Sequence, residues 1–304
     1  MPHTGLVGSN PTPGVLKVIK LDLVHEIFDI QKKYTVVGRD SELKKALVAL
    51  RCRKHVLLEG PVGVGKTFLA SVIAKHLGLK LFRIDGDERL TERKIVGYWD
   101  PPLVLSKGYC PEAFVEGPLV RAMKTGGLLF INELNRLPES TQNVLLPVMD
   151  EGILYIPKLG EIRASPRFRI IATQNPEEHT GVTRLSEALR DRFLLIKLDY
   201  QPYEEEVKIV KLRSGISEDS IAETSVRIVR ATRSSPKILR GASVRSAIDL
   251  ALIASQFRPL NIERWVEASI MSLSSRVEVI DEYHGREDEV IAEIVKSALQ
   301  GFQG

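Results

Sequence analysis

Residues 60 to 67 read Gly60-Pro61-Val62-Gly63-Val64-Gly65-Lys66-Thr67, a glycine and four residues followed by Gly-Lys-Thr. The run follows the apolar stretch His55 to Glu59 and precedes Phe68 to Leu77, which has helical spacing. Strand, glycine-rich turn and helix in that order predict a loop whose backbone amides enclose phosphate oxygens, with the helix N-terminus adding partial positive charge. Lys66 then reaches the β- and γ-phosphates of a nucleoside triphosphate. Thr67 offers its hydroxyl to magnesium, an ion that keeps several waters and takes few protein ligands. The bland alternative is a glycine-rich turn that binds nothing, and it leaves both the lysine and the strand-helix context as coincidences.

Working outward, β-rich apolar runs recur at Leu81 to Asp85, Gly127 to Asn132, Phe168 to Thr173 and Phe193 to Leu198, separated by segments with helical spacing. With His55 to Glu59 they make five, and the alternation predicts an α/β fold, a parallel sheet covered by helices on both faces. Ligands in such folds bind beyond the carboxyl ends of the strands. After Tyr200 the pattern turns helical: Pro202 can open a helix, Glu204 and Lys208 sit four apart, and Val207 with Val210 forms an apolar stripe. Further helices are expected near Ile221 to Thr232, Ser243 to Ser255, Ile262 to Arg276 and Glu287 to Leu299. The division is therefore an N-terminal extension over 1–33, an α/β nucleotide-binding domain over 34–200 and an all-α domain over 201–304. Residues 1–14, rich in Gly and Pro, read as a mobile lead. Leu16 to Lys33 fits either a strand or an amphipathic helix.

The chain of 304 residues is 43% hydrophobic, enough to bury a substantial core. Lys plus Arg number 43 against 39 Asp plus Glu, a surplus too small to create a strong field. Nucleic acid is permitted by that charge, not indicated. Cys52 and Cys110 are too few for a disulfide framework and lack paired metal-ligand spacing, so reduced thiols are expected. No apolar run approaches the roughly 20 residues of a membrane span, and Met1 to Asn10 lacks the pattern of a secretory signal. A cytoplasmic location, away from membranes, is the expectation.

Gly127-Leu128-Leu129-Phe130-Ile131-Asn132-Glu133 is an apolar strand ending in polar residues. In phosphate-loop ATPases that strand usually ends Asp-Glu, the aspartate helping to hold magnesium and the glutamate orienting or deprotonating the attacking water. Asn132 keeps an oxygen acceptor at the aspartate's place but removes a negative charge beside the cation. Glu133 is the candidate base, against the plainer reading of a solvated carboxylate at a helix start. The expectation is an ATP-binding chain that turns over more slowly than its Asn132→Asp variant.

Asn132-Glu133-Leu134-Asn135-Arg136 followed by Gln142-Asn143-Val144-Leu145-Leu146 resembles the second signature of the MoxR family of AAA+ ATPases. The likeness runs from about Val36 to about Ile248. Val37-Gly38-Arg39 resembles the segment near the adenine, and Gly117-Pro118-Leu119 the Gly-Pro element before the acidic strand. Ala172-Thr173-Gln174-Asn175-Pro176 resembles the strand whose final asparagine senses the γ-phosphate. Leu185-Ser186-Glu187-Ala188-Leu189-Arg190-Asp191-Arg192-Phe193 resembles the segment carrying the arginine finger. Arg192 is the preferred finger and Arg190 the rival, each otherwise a surface partner of Asp191 or Glu187. Gly241-Ala242-Ser243-Val244-Arg245 resembles the lid motif whose arginine contacts nucleotide.

The resemblance implies an AAA+ P-loop core with a helical lid, ATP and Mg2+ as cofactors, and a homo-hexameric ring in which Arg192 serves the adjacent subunit. It also implies a protein client, remodelled or matured, and a von Willebrand factor A partner. Two rival classes are a nucleic-acid motor, weakened by the small charge surplus, and a nucleotide-gated scaffold with little turnover, motivated by Asn132. Gly97 to Glu116 and Gly152 to Ser165 look like insertions aimed at a central pore. Tyr98 and Trp99 could there grip a client or simply pack. The second insertion reads as a hairpin whose turn contains Gly160.

Overall fold

The computed structural model describes residues 23–176 and 185–300; the expected lead over 1–14 and the start of the Leu16 to Lys33 segment lie outside them. Five parallel strands form one sheet: β1 (His55–Glu59), β2 (Leu81–Asp85), β3 (Leu128–Asn132), β4 (Arg169–Gln174) and β5 (Phe193–Lys197). Their spatial order is β2-β3-β4-β1-β5. The pleat alternates side chains between the two faces. Leu57, Leu129, Ile131, Ile170 and Ala172 therefore join one core, while Val56, Leu58, Leu128, Phe130 and Ile171 join another under the Asp40–Arg51 and Lys66–His76 helices. The central strands are buried on both sides, which is why they read as unbroken apolar runs.

The segment of open type is a helix, Leu23–Tyr34, which buries Ile27 and Ile30 in the second core. Helices Tyr203–Ser214, Asp219–Ser234, Val244–Ala254, Ile262–Leu273 and Glu287–Gln300 enclose a third core of their own. That region is not purely helical. Ile238–Arg240 pairs antiparallel with Glu278–Val279, strands too short for a two-residue period to register in sequence.

Both insertions contain antiparallel pairs. Gly97–Trp99 pairs with Phe114–Glu116, and the Pro101–Lys107 helix between them is capped by Asp100, whose carboxylate accepts from the Leu103 amide at 3.1 Å. Trp99 packs edge-on against Tyr109 and Phe114 at 5.0 and 5.2 Å, whereas Tyr98 is 48% exposed. The pair of candidate grips thus divides, one packed and one outward. In the second hairpin the turn spans Ile156 to Leu159, closed by the Leu159 amide on Ile156 O at 3.0 Å. Gly160, φ 93°, closes the turn by pairing with Ile156, and Lys158 within it is also left-handed, φ 68°.

His55 at the start of β1 is buried, and its Nδ1 accepts from the Ile170 amide at 3.0 Å. Burial, with help from Arg169 and Lys54, lowers its pKa from 6.5 to about 4. Between those values the unfolded chain binds a proton that the folded chain refuses. Stability present above pH 6.5 is therefore lost as pH falls toward 4, by roughly 3 kcal/mol. His55→Asn retains an acceptor and does not titrate. Denaturant melts at pH 7 and 4.5 should show a smaller acid loss in that variant than in wild type.

Candidate active site

Gly63 and Gly65 adopt φ of 81° and 91°, left-handed values that glycine reaches without steric cost. A Cβ at Gly63 would lie 2.3 Å from that of Ser243, so loop and lid approach too closely for any other residue. At Gly65 the same direction is open, with nothing within 4 Å. The Lys66–His76 helix starts beside that space, so the positive end of its dipole faces it. Lys66 Nζ donates to the carbonyl oxygens of Gly60 at 2.5 Å and Pro61 at 2.8 Å, which sets its ammonium across the loop.

The facing wall is the end of β3. Asn132 follows Phe130 by two residues, so the pleat turns it toward the face covered by the Lys66–His76 helix. Its Oδ1 accepts from Thr67 Oγ1 at 3.3 Å and Thr173 Oγ1 at 3.1 Å, while its Nδ2 donates to Asp85 Oδ1 at 3.1 Å. Two hard oxygens, Thr67 Oγ1 and Asn132 Oδ1, thus converge beside the loop. That donor set fits magnesium, which takes the rest of its shell from phosphate and water. Among the described residues no group of three or more His, Cys, Asp or Glu forms a separate metal cage.

Glu133 leaves the strand in a left-handed conformation, φ 56° and ψ 56°, and its amide donates to Thr173 Oγ1 at 2.9 Å. Its carboxylate pairs with Arg136 Nε at 3.0 Å. Thr173, fully buried, therefore links the two residues that end the acidic strand. Asn175, 4% exposed, follows β4 directly, and its carbonyl receives a long contact from Asn135 Nδ2 at 3.5 Å.

A pocket of about 290 Å³ opens beside the loop, lined mainly by apolar side chains including Val36, Val37, Val64, Phe68 and Ile248. Arg245 reaches it from the first turn of the Val244–Ala254 helix. Val62 and Pro61 stand at the loop's outer edge, Val62 being 45% exposed. Gly38 faces elsewhere, since a Cβ there would meet the Glu205 carboxylate at 2.1 Å. Arg39 ties the site together by donating to Val64 O at 2.9 Å and Asp199 O at 2.8 Å. Gln201 Nε2 bridges Val37 O and the Glu205 carboxylate, both at 2.7 Å. Glu206, 1% exposed, is neutralised by Arg233 at 2.6 Å and Arg230 at 3.1 Å, as a buried carboxylate requires. Arg233 in turn stacks on Tyr200, 3.7 Å from its ring centre, just before the Tyr203–Ser214 helix.

Arg192 is not brought to this cleft. It precedes β5, and Phe193 pairs with His55 at the start of β1, whereas the loop leaves the other end. Five strand residues separate the two levels, on the order of 15 Å. The guanidinium makes a two-pronged pair with Asp150, the Nε contact being 2.7 Å, and also donates to Ala188 O. Arg190 lines a groove with Glu59 and Gln174 instead.

Residues 55–193 match the model of the AAA domain, dynein-related subfamily. The gas vesicle ATPase GvpN of Haloferax mediterranei is 31% identical over 267 residues, covering 83% of this chain and 75% of that protein. The chain belongs to the AAA ATPases. Gas vesicle ATPase GvpN1 of Halobacterium salinarum is 34% identical over 196 residues; the match covers 59% of this chain and 56% of that relative's length. A crystal structure of a putative ATPase from Cytophaga hutchinsonii shares the fold, with a TM-score of 0.52 at 23% identity over 90% of this chain and 93% of that one. In this AAA ATPase the family match ends at Phe193, so Arg245 and Gln201 lie beyond it and enter the site through the fold.

Proposed function

We propose that this AAA ATPase binds ATP with magnesium in the cleft between loop and lid and spends its hydrolysis on remodelling a protein client within a ring of the MoxR type. The observation that carries this is the contact of Thr67 with Asn132 beside the glycine-rich loop and the pocket that the same loop shares with Arg245, while Arg192 stands at the far end of the same sheet. Residues 60–67 would hold the phosphates, Val37 and its apolar neighbours the base, and Arg245 would report nucleotide to the lid. Thr67 and Asn132 would hold magnesium, whose charge offsets that of the phosphates. Glu133 takes a proton from water as its oxygen bonds to the γ-phosphorus; the bond to the β-phosphate oxygen breaks and ADP departs. Asn175 orients that water. Arg192 is too far to serve its own nucleotide, and its planar charged fork suits the phosphoryl oxygens of a neighbour's.

Several features support a protein client over nucleic acid. The charge surplus of four gives no field that would track a phosphate backbone, and Leu105, Tyr109 and Tyr155 stand exposed on the two insertions at 89%, 57% and 72%. The client and a von Willebrand factor A partner are read from the MoxR resemblance, and a cytoplasmic setting from the sequence, which carries no membrane-length apolar run. Light scattering of the wild-type chain tests the ring: with ATP and magnesium the mass should rise to about six chains. A monomer under all nucleotide conditions would rule the ring out.

A further inference from the structure

The ends of β2 and β3 lie side by side, with Asp85 opposite Asn132 in register. Asp85 Oδ1 accepts from Asn132 Nδ2 at 3.1 Å and also from Arg83, whose Nε contacts both carboxylate oxygens at 3.0 and 2.9 Å. Arg83 and Asp85 are 50% and 58% exposed, a setting in which an ion pair adds little to stability. Its geometric effect is larger. A carboxylate only accepts, so beside Asp85 the amide of Asn132 must present its NH2, and its oxygen must then point the other way. That other way is toward the hydroxyls of Thr67 and Thr173.

We infer that Asp85 is a positioning residue for the metal side of the site: from the neighbouring strand it supplies the negative charge absent at Asn132 and aims the Asn132 oxygen at magnesium. A carboxylate on β2 and an amide on β3 thus stand side by side, joined by one hydrogen bond. Arg83 anchors the carboxylate from behind. This inference rests on the reading of the cleft as a site for ATP and magnesium. It revises the expectation for Asn132→Asp alone, which would set two carboxylates about 3 Å apart, with Arg83, held by Asp85, the cation that offsets their repulsion.

The test compares wild type with Asp85→Asn, Asn132→Asp and the double exchange. Affinity for a fluorescent ATP analogue is measured in EDTA and across a magnesium titration, and manganese binding to the ATP-loaded protein is followed by electron paramagnetic resonance. Asp85→Asn should leave the EDTA affinity and the melting temperature unchanged and weaken metal binding by about tenfold, the usual range for an outer-shell partner. The double exchange should recover wild-type metal affinity, because an amide at position 85 can still accept from Arg83 and donate across to a carboxylate at 132. Unchanged metal affinity in Asp85→Asn, or a double exchange no better than that single variant, would overturn the inference while wild type still binds the analogue in EDTA. A wild-type chain that binds no analogue under any condition overturns the functional reading itself, and this inference with it.

Discussion

Glu133→Gln is expected to lower steady-state ATP turnover by roughly two to three orders of magnitude and to leave ATP affinity nearly unchanged. The amide is the same size and keeps the left-handed backbone that the Glu133 amide and Thr173 Oγ1 hold in place. What it removes is the capacity to take a proton. Phosphate-release kinetics and nucleotide-affinity measurements on the same preparation check both halves of the statement. Equal turnover in the two proteins would move the base to another residue, Arg136-paired Glu133 then being a structural contact.

A comparable loss is expected at the other end of the sheet. Arg192→Ala should reduce turnover about a thousandfold, the lower end of what a finger arginine contributes, with little change in nucleotide affinity. The two-pronged contact with Asp150 has to open for the guanidinium to reach across an interface. Mixing separates a role in trans from a role within the chain. Arg192→Ala subunits keep an intact loop, and Lys66→Ala subunits keep an intact Arg192, so roughly a quarter of the interfaces in a randomly mixed ring hold both. Activity should reappear on mixing two inactive proteins. No recovery at any ratio would confine Arg192 to its own chain, as the partner of Asp150.

The parts of this molecule legible in sequence are those with local causes. All five strands of the sheet were readable within about two residues, because β1, β3 and β4 are buried on both faces and must be apolar throughout. The phosphate loop was legible for a second local reason, the glycines and lysine being fixed by the turn they make. Leu23–Tyr34 was ambiguous because its apolar residues serve a single partly covered face, with Val24 and Phe28 outward at 76% and 61% exposure.

What stayed hidden depends on which strand ends become neighbours. Asp85 lies 47 residues before Asn132, and only the register of β2 on β3 shows that their side chains meet. A signal existed in principle: two apolar runs each closing on a short polar side chain. Thr173 lies inside a sequence motif, yet its double contact with Asn132 and Glu133 needs β4 placed beside β3. Arg39, Gln201 and Glu206 likewise act across gaps of 24 to 164 residues that no spacing rule connects. The separation of Arg192 from the loop is the most consequential of these, since the order of the segments along the chain gives no hint that they lie at opposite ends of the sheet.

Calorimetric titration of the purified wild-type chain with ATP, with and without magnesium, tests the central claim most directly. Backbone amides around Gly60–Thr67 are expected to take up one nucleotide per chain, more tightly when magnesium accompanies it. Binding that is undetectable at millimolar ATP, with the metal and without it, would contradict the account.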